Sequence, residues 1–186
     1  MVEERKTKSE KRVETLVTQL ARIRVPLGFA CGVAVLYLAL PTPTSLAIGG
    51  AIAFVGELVR IWAAGHLEKG LEVTQSGPYR FTRHPLYAGS AIVAMGAAVA
   101  SARISTAALI GSYMAITILA AMRHEEGNMR AKFGDGYDAY LESRAARVER
   151  AFSLRRALTV NKEYKAVLGL IALVAFLAVK VAFRAN

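Results

Sequence analysis

Residues 46–64 read Leu46-Ala47-Ile48-Gly49-Gly50-Ala51-Ile52-Ala53-Phe54-Val55-Gly56-Glu57-Leu58-Val59-Arg60-Ile61-Trp62-Ala63-Ala64. At a helical rise of roughly 1.5 Å per residue, about 20 consecutive apolar residues cross a bilayer. The stretch therefore predicts a spanning helix. Two charges interrupt it, Glu57 and Arg60, and their i, i+3 spacing places them on one face where they can pair. A charge at membrane depth must face protein or a wet cavity. One reading is a structural ion pair between helices; the sharper one is that the two residues floor a polar site.

The same length criterion finds four more blocks: Val25–Leu40, the shorter Leu86–Ala100, Ser105–Met122 and Tyr164–Phe183. The chain of 186 residues is 54% hydrophobic, and its mean hydropathy is +0.35. Its apolar residues fall in blocks and not in amphipathic stripes, which weighs against a soluble bundle of buried helices. The expected fold is all-α: a polytopic integral membrane helical bundle of about five transmembrane helices. Before it, residues 1–24 are too long and too charged for a signal peptide. They read as a cytosolic amphipathic helix on the membrane surface, with Val13, Leu16, Val17 and Leu20 on one face. The expected division is this helix at 1–24, a membrane core at 25–150, and a basic linker with an additional C-terminal spanning helix at 151–186. The lone cysteine, Cys31, lies in the first apolar block and reads as a small buried hydrophobe. Lys180 and Arg184, near the end of the last block, are placed to snorkel.

The net charge is +10, but its distribution argues against nucleic acid. Lys and Arg number seven in residues 1–24, three in 68–85 and ten in 123–165, whereas the turns 41–45 and 101–104 hold only Arg103. Alternate connections thus differ sharply, as the positive-inside rule requires. The N-terminus, the 68–85 loop and the 123–162 segment are expected in the cytoplasm and the C-terminus outside. The basic excess then meets anionic lipid headgroups.

Between the second and third blocks lies a polar island, Gly77-Pro78-Tyr79-Arg80-Phe81-Thr82-Arg83-His84-Pro85-Leu86-Tyr87-Ala88-Gly89, and a second polar cluster follows at Arg123-His124-Glu125-Glu126. Pro41-Thr42-Pro43-Thr44 ends the first helix and makes an outer hairpin. The short joint Ser101–Ile104 makes the third and fourth helices antiparallel, which brings Arg83-His84-Pro85 and Tyr87 beside Arg123 and Glu125-Glu126. Ser76-Gly77-Pro78-Tyr79 reads as a turn, Val73-Thr74 as a short extended piece, and Pro85 as the first turn of a helix. Gly134-Asp135-Gly136 interrupts a polar helix, after which Tyr137, Tyr140 and Leu141 form an apolar-aromatic face expected to pack back on the loop or at the interface.

Several chemistries are absent. No Gly-x-Ser-x-Gly elbow or Ser-His-Asp pattern supports a hydrolase, and no glycine-rich nucleotide motif or recognised metal spacing occurs. What remains is an imidazole, tyrosine hydroxyls, a carboxylate pair and arginines at one membrane surface. Such a set fits a zwitterionic cofactor: Glu125 for an ammonium, and an arginine or the helix N-terminus at Pro85 for a carboxylate. Apolar walls would admit a lipid tail.

Gly77-Pro78-Tyr79-Arg80-x-x-Arg83-His84-Pro85-x-Tyr87-x-Gly89, followed by Glu125-Glu126 and Phe133-Gly134-x-x-Tyr137-x-x-Tyr140, with Arg60-x-Trp62-Ala63 upstream, resembles the isoprenylcysteine carboxyl methyltransferase family and the related phospholipid methyltransferases. The likeness covers roughly residues 46–141. It implies an integral membrane methyltransferase that uses S-adenosylmethionine to methylate a carboxylate or amine of a lipid-like or prenylated amphiphile. Carried over, it implies cofactor contacts from Leu71, Glu72, Val73, Thr74, Tyr79, His84, Pro85, Leu86, Tyr87 and Glu125, no metal, and catalytic roles for His84, Arg123 and Glu125. The chain departs from the family at Ala121, where an arginine for the substrate carboxylate is expected, at Leu71, where some members place a histidine, and at Ser143–Val148. Two rival readings are an NADPH-dependent membrane sterol-type reductase and a non-enzymatic membrane scaffold or transport subunit. Leu86 and Ser90 stand where the reductases carry Asn and Glu.

Overall fold

A computed structural model describes residues 8–142 and 149–185. Among the described residues the chain is helical, with no strand: α1 Lys8–Leu38, α2 Pro43–His66, a 3-10 turn Gly77–Arg80, α3 Pro85–Ser101, α4 Ile104–Phe133, α5 Asp135–Leu141, a π-helical turn Arg156–Val160, and α6 Tyr164–Ala185. Three helices are long and apolar enough to cross a membrane, over Pro43–His66, Ile104–Phe133 and Tyr164–Arg184; Pro26–Leu38 and Pro85–Ser101 are shorter apolar helical stretches. By length and composition these are the helices of an integral membrane protein.

The expected break between an interfacial helix and the first spanning block does not occur. α1 runs unbroken through both, with Pro26 inside it. Proline removes one ladder N–H but leaves the rest of a long helix intact. The side chains of Val13, Leu16, Val17 and Leu20 lie outside the described residues, as does Ser143–Val148.

α2 and α3 pack more extensively than any other pair. Their seam is built from small residues, which let two backbones approach closely where lipid supplies no hydrophobic drive. A Cβ at Gly49 would lie 2.4 Å from both Ala100 N and Gly96 O, and one at Gly96 would lie 2.5 Å from both Ala53 N and Gly49 O. Two turns nearer the site, Gly56 faces Val93 and Gly89 in the same way.

The end of the bundle away from the polar island is closed by polar contacts. Thr42 and Ser45 form a reciprocal cap at the start of α2, with Thr42 N donating to Ser45 Oγ at 2.9 Å and Ser45 N to Thr42 Oγ1 at 3.1 Å. Leu40 N donates to Ser101 O at 2.8 Å, and Arg103 Nη1 to Leu38 O at 3.1 Å. Lys180, expected to snorkel, turns inward instead. Its Nζ donates to Leu36, Tyr37 and Ala39 carbonyls at 2.8, 3.0 and 2.7 Å. The last carbonyls of α1 have no intrahelical donor, and the helix dipole makes that end negative, so an ammonium is well placed there.

Candidate active site

The loop after α2 is shaped by a few tight contacts. His66 Nδ1 lies 3.1 Å from Ser76 Oγ, a buried pair. Gly77 has φ +58 and lies against the His66 ring, where a Cβ would come within 2.4 Å of Cδ2. Only glycine fits both the left-handed backbone and the contact. The expected turn is present as the 3-10 turn, with Tyr79 N bonding Ser76 O. Glu68 N donates to the buried Thr74 Oγ1 at 3.3 Å, which ties residues 73–74 to the end of α2 without a strand partner. Pro85 occupies the first turn of α3 after His84, as its missing N–H favours. Gly89 is required one turn later, since a Cβ would lie 2.7 Å from Arg60 Cγ and 2.9 Å from Gly56 O.

The antiparallel α3–α4 hairpin brings the two polar clusters together, with His84 Nε2 3.0 Å from Glu126 Oε1. A cavity of about 340 Å³ opens beside them, faced by Tyr79, Arg83, His84, Pro85, Leu86, Tyr87 and Glu125. A second cavity of about 240 Å³ shares Tyr79, Arg83, His84 and Glu125 and is closed by Glu72, Val73, Thr74, Tyr137 and Tyr140. Nine of the ten residues expected at a cofactor thus meet around two adjoining spaces. Leu71 does not; it is 78% exposed and faces neither. Arg123 is also exposed and outside both. The face of Tyr137 and Tyr140 packs back on the loop as expected, with Tyr137 buried.

Three charged side chains face the shared space without ion pairs among the described residues: the Arg83 guanidinium, the Lys69 ammonium and the Glu125 carboxylate. The N-terminus of α3 points positive dipole at the same space. The Tyr79 hydroxyl is pushed above the ordinary tyrosine range, first by burial and then by the Glu125 charge. Burial also raises Tyr140, and burial with Glu126 raises Tyr137. All three are therefore neutral hydrogen-bonding groups at physiological pH. No cluster of metal ligands occurs among the described residues. The arrangement suits a zwitterion held at both ends, beside aromatic and apolar surface.

Glu57 and Arg60 do pair, with Arg60 Nε 3.4 Å from Glu57 Oε2, but they form part of a larger group. Arg60 Nη2 donates to Glu163 Oε2 at 2.7 Å, and Nη1 donates to Ser90 Oγ. Arg60, Ser90 and Glu163 face the polar cavity. Arg60, Ser90 and Glu57 also face a third, largely apolar cavity of about 670 Å³ between α1, α2, α3, α4 and α6. Tyr113 and Met114 border both spaces. Sequence reasoning missed Ser90, Tyr113 and above all Glu163, which lies 103 residues from its partner. The membrane-depth pair Glu57–Arg60 was the one signal pointing to this junction.

The segment that positions Glu163 is strapped to the end of α2. Arg156 donates to Gly65 O at 2.6 Å and pairs with Glu68 at 2.7 Å. Arg150 holds Glu72 through two bonds of 3.0 Å. Asn161 Nδ2 donates to Ala64 O at 2.8 Å and Leu67 O at 3.0 Å. Phe152 covers Gly65, where a Cβ would lie 2.2 Å from its ring. Basic residues in this segment thus hold both the cofactor-side loop and the helix C-terminus, whose free carbonyls accept their bonds.

A family model described as phospholipid methyltransferase matches residues 29–136, more than half of the chain. No curated protein and no solved structure matches it. The chain belongs to the phospholipid methyltransferase family.

Proposed function

We propose that this member of the phospholipid methyltransferase family transfers a methyl group from S-adenosylmethionine to the nucleophilic head of a lipid-like or prenylated amphiphile. In this reading α1 and α3 also span the bilayer, giving five spans, and the charge asymmetry of the connections sets the polar site on the cytoplasmic side. The observation that carries it is the unpaired Arg83 and Glu125 facing one space at the N-terminus of α3, directly beside an apolar cavity.

The cofactor supplies a methyl group on a positively charged sulfur, open to in-line attack. The chain's part is to bind, orient and exclude water. Glu125 receives the ammonium of the amino-acid moiety, and Arg83 with the α3 N-terminus receives its carboxylate. His84, held by Glu126 at 3.0 Å, presents its ring and its position at the helix start. Tyr79, Glu72, Val73 and Thr74, with Tyr137 and Tyr140 opposite, line the side cavity for the remainder. Pro85, Leu86 and Tyr87, at the start of α3, line the adjoining polar cavity. Arg123 and Leu71, outside both cavities, take no part. The apolar cavity takes the acceptor's hydrocarbon tail. Alignment of two bound reactants and removal of water from the nucleophile supply the rate enhancement, with no acid or metal required for the transfer itself.

Glu125→Ala is the test. Loss of two charge-assisted hydrogen bonds worth about 1.5–3 kcal/mol each predicts at least about 100-fold weaker S-adenosylmethionine binding by calorimetry. Unchanged affinity would remove Glu125 from the site.

A further inference from the structure

The segment strapped to the end of α2 has a second face. Its inward residues are bonded to protein: Arg150 to Glu68 and Glu72, Arg156 to Glu68 and Gly65 O, Asn161 to Ala64 O and Leu67 O, and Glu163 to Arg60. Its outward residues are Leu154, Arg155, Val160, Lys162, Tyr164 and Lys165, all exposed. Leu154 and Val160, at 54% and 64% exposure, are apolar side chains with little protein to cover them. Arg155, Lys162 and Lys165 make no ion pair among the described residues. The carboxylates around them, Glu68, Glu72, Glu149 and Glu163, are already engaged by Arg150, Arg156, Arg80 and Arg60. Lys162 has φ +60, a left-handed backbone rare outside glycine. At this turn Asn161 and Glu163 point into the bundle and Lys162 points out.

Cations interleaved with apolar and aromatic side chains suit neither water nor hydrocarbon alone. At a bilayer surface the apolar groups leave water while the cations meet anionic heads. The position of the strap fixes the occupant. It runs directly into α6, whose Tyr164–Arg184 stretch is long and apolar enough to cross a bilayer. Tyr164 and Lys165 in the first turn of α6 therefore lie at headgroup depth, where tyrosine and lysine are at home. A dissolved anion would use the three cations but leave Leu154 and Val160 in water. We infer that the outward face of residues 154–165 is a docking site for acidic phospholipid. Arg155, Lys162 and Lys165 hold the anionic heads, and Leu154, Val160 and Tyr164 rest on the upper part of the acyl chains. An occupied site pins the strap to the interface and, through the adjacent residues 162 and 163, keeps Glu163 against Arg60. The site lies beyond the family-matched residues 29–136 and does not depend on which reaction the polar cavity performs.

The experiment uses the purified full chain in detergent micelles doped with dioleoyl phosphatidylglycerol or dioleoyl phosphatidylcholine, lipids with the same tails and different net charge. Native mass spectrometry counts the lipid retained. Each basic residue near an anionic head is worth roughly fivefold in binding, so three predict a preference for phosphatidylglycerol of at least about tenfold and up to about 100-fold. Arg155→Gln, Lys162→Gln and Lys165→Gln should each take about fivefold from that preference, and the triple variant should bring it to within about threefold. The single variants carry the test where the triple one loses its fold. Removing Arg5, Lys6 and Lys8 lowers the net charge equally and should leave the preference in place. In nanodiscs, phosphatidylglycerol should slow hydrogen exchange of residues 156–163 in the wild type and not in the triple variant. Equal retention of the two lipids by the wild type, a preference that none of the strap variants diminishes, or an equal loss in the Arg5, Lys6 and Lys8 variant overturns the inference. Displacement of phosphatidylglycerol by millimolar inorganic phosphate assigns a free-anion site and overturns it as well. Exchange at 156–163 that phosphatidylglycerol leaves unchanged overturns the hold on Glu163.

Discussion

Alanine at Gly96 should push α2 and α3 apart. The new Cβ would sit 2.5 Å from Ala53 N and from Gly49 O, and 2.7 Å from Ala53 Cβ. Two of these neighbours are backbone atoms of a packed helix and cannot rotate away. Ordinary contact begins at 3.4 Å, so the helices must separate locally by about 1 Å. Overpacking of this kind costs about 1–3 kcal/mol, partly offset by the roughly 1 kcal/mol that alanine gains over glycine within a helix. Gly50, the residue after Gly49 in α2, is the control, since a Cβ there meets nothing within 4 Å. Gly50→Ala keeps only the helix gain and should stabilise by up to about 1 kcal/mol. The two variants should therefore differ in sign or, at the least, by about 1–3 kcal/mol, which at about 2–4 °C per kcal/mol is a gap of about 2–12 °C in Tm. The lone Cys31, partly buried in α1, gives the assay: a thiol-reactive fluorophore reports unfolding in detergent on heating. Gly96→Ala melting at or above the Tm of Gly50→Ala would refute the close-approach seam.

The strap after α5 gives a second prediction. Arg156→Ala removes the 2.6 Å bond to Gly65 O and the 2.7 Å pair with Glu68, with a loss of about 2–3 kcal/mol; hydrogen exchange should speed up in residues 65–72 before the helices. Lys180→Met frees three carbonyls at the C-terminal end of α1 and should lower stability by about 1–2 kcal/mol, while Lys180→Arg should recover part of it in the same thermal assay. The alkaline limb depends on Tyr79, whose folded pKa is raised above the ordinary value of 10.0 by burial and by Glu125. Its contribution is complete below that value and is lost as pH rises through the folded pKa, because the unfolded chain ionises first. Tyr79→Phe should flatten the loss of stability above pH 10, and phenolate absorbance should show a late-titrating tyrosine that the variant lacks.

Much of the membrane architecture follows from hydropathy, which is a local property of the chain. The blocks at 46–64 and 164–183 correspond to α2 and α6, and the block at 105–122 is the apolar part of α4. Local turn chemistry was equally legible: Pro85 opens α3, Gly134 ends α4, and the 76–79 turn is in place. Where two local signals conflicted, the reading failed. Charge separated residues 1–24 from the apolar stretch that follows, yet helical hydrogen bonding is indifferent to that change of polarity, and α1 continues through it. Lys180 read as a snorkelling residue because its stem is long, but the α1 carbonyls that hold it lie more than 140 residues earlier.

The residue types able to bind a zwitterion were evident in the linear order, and the short turn at 101–104 was enough to predict that His84 would meet the Glu125-Glu126 pair. Its partner is Glu126, which leaves Glu125 open to the cavity; helix rotation decides this, and no spacing along one strand of sequence reveals the phase of two packed helices. The same holds for Arg60. A charge at membrane depth announces that a partner exists, but not that Glu163 crosses from the far end of the chain to supply it at 2.7 Å. Hydropathy and turn chemistry act over a few residues and can be read in order. Pairing and cavity walls arise where separate segments share one small volume, and packing of the whole bundle alone brings them there.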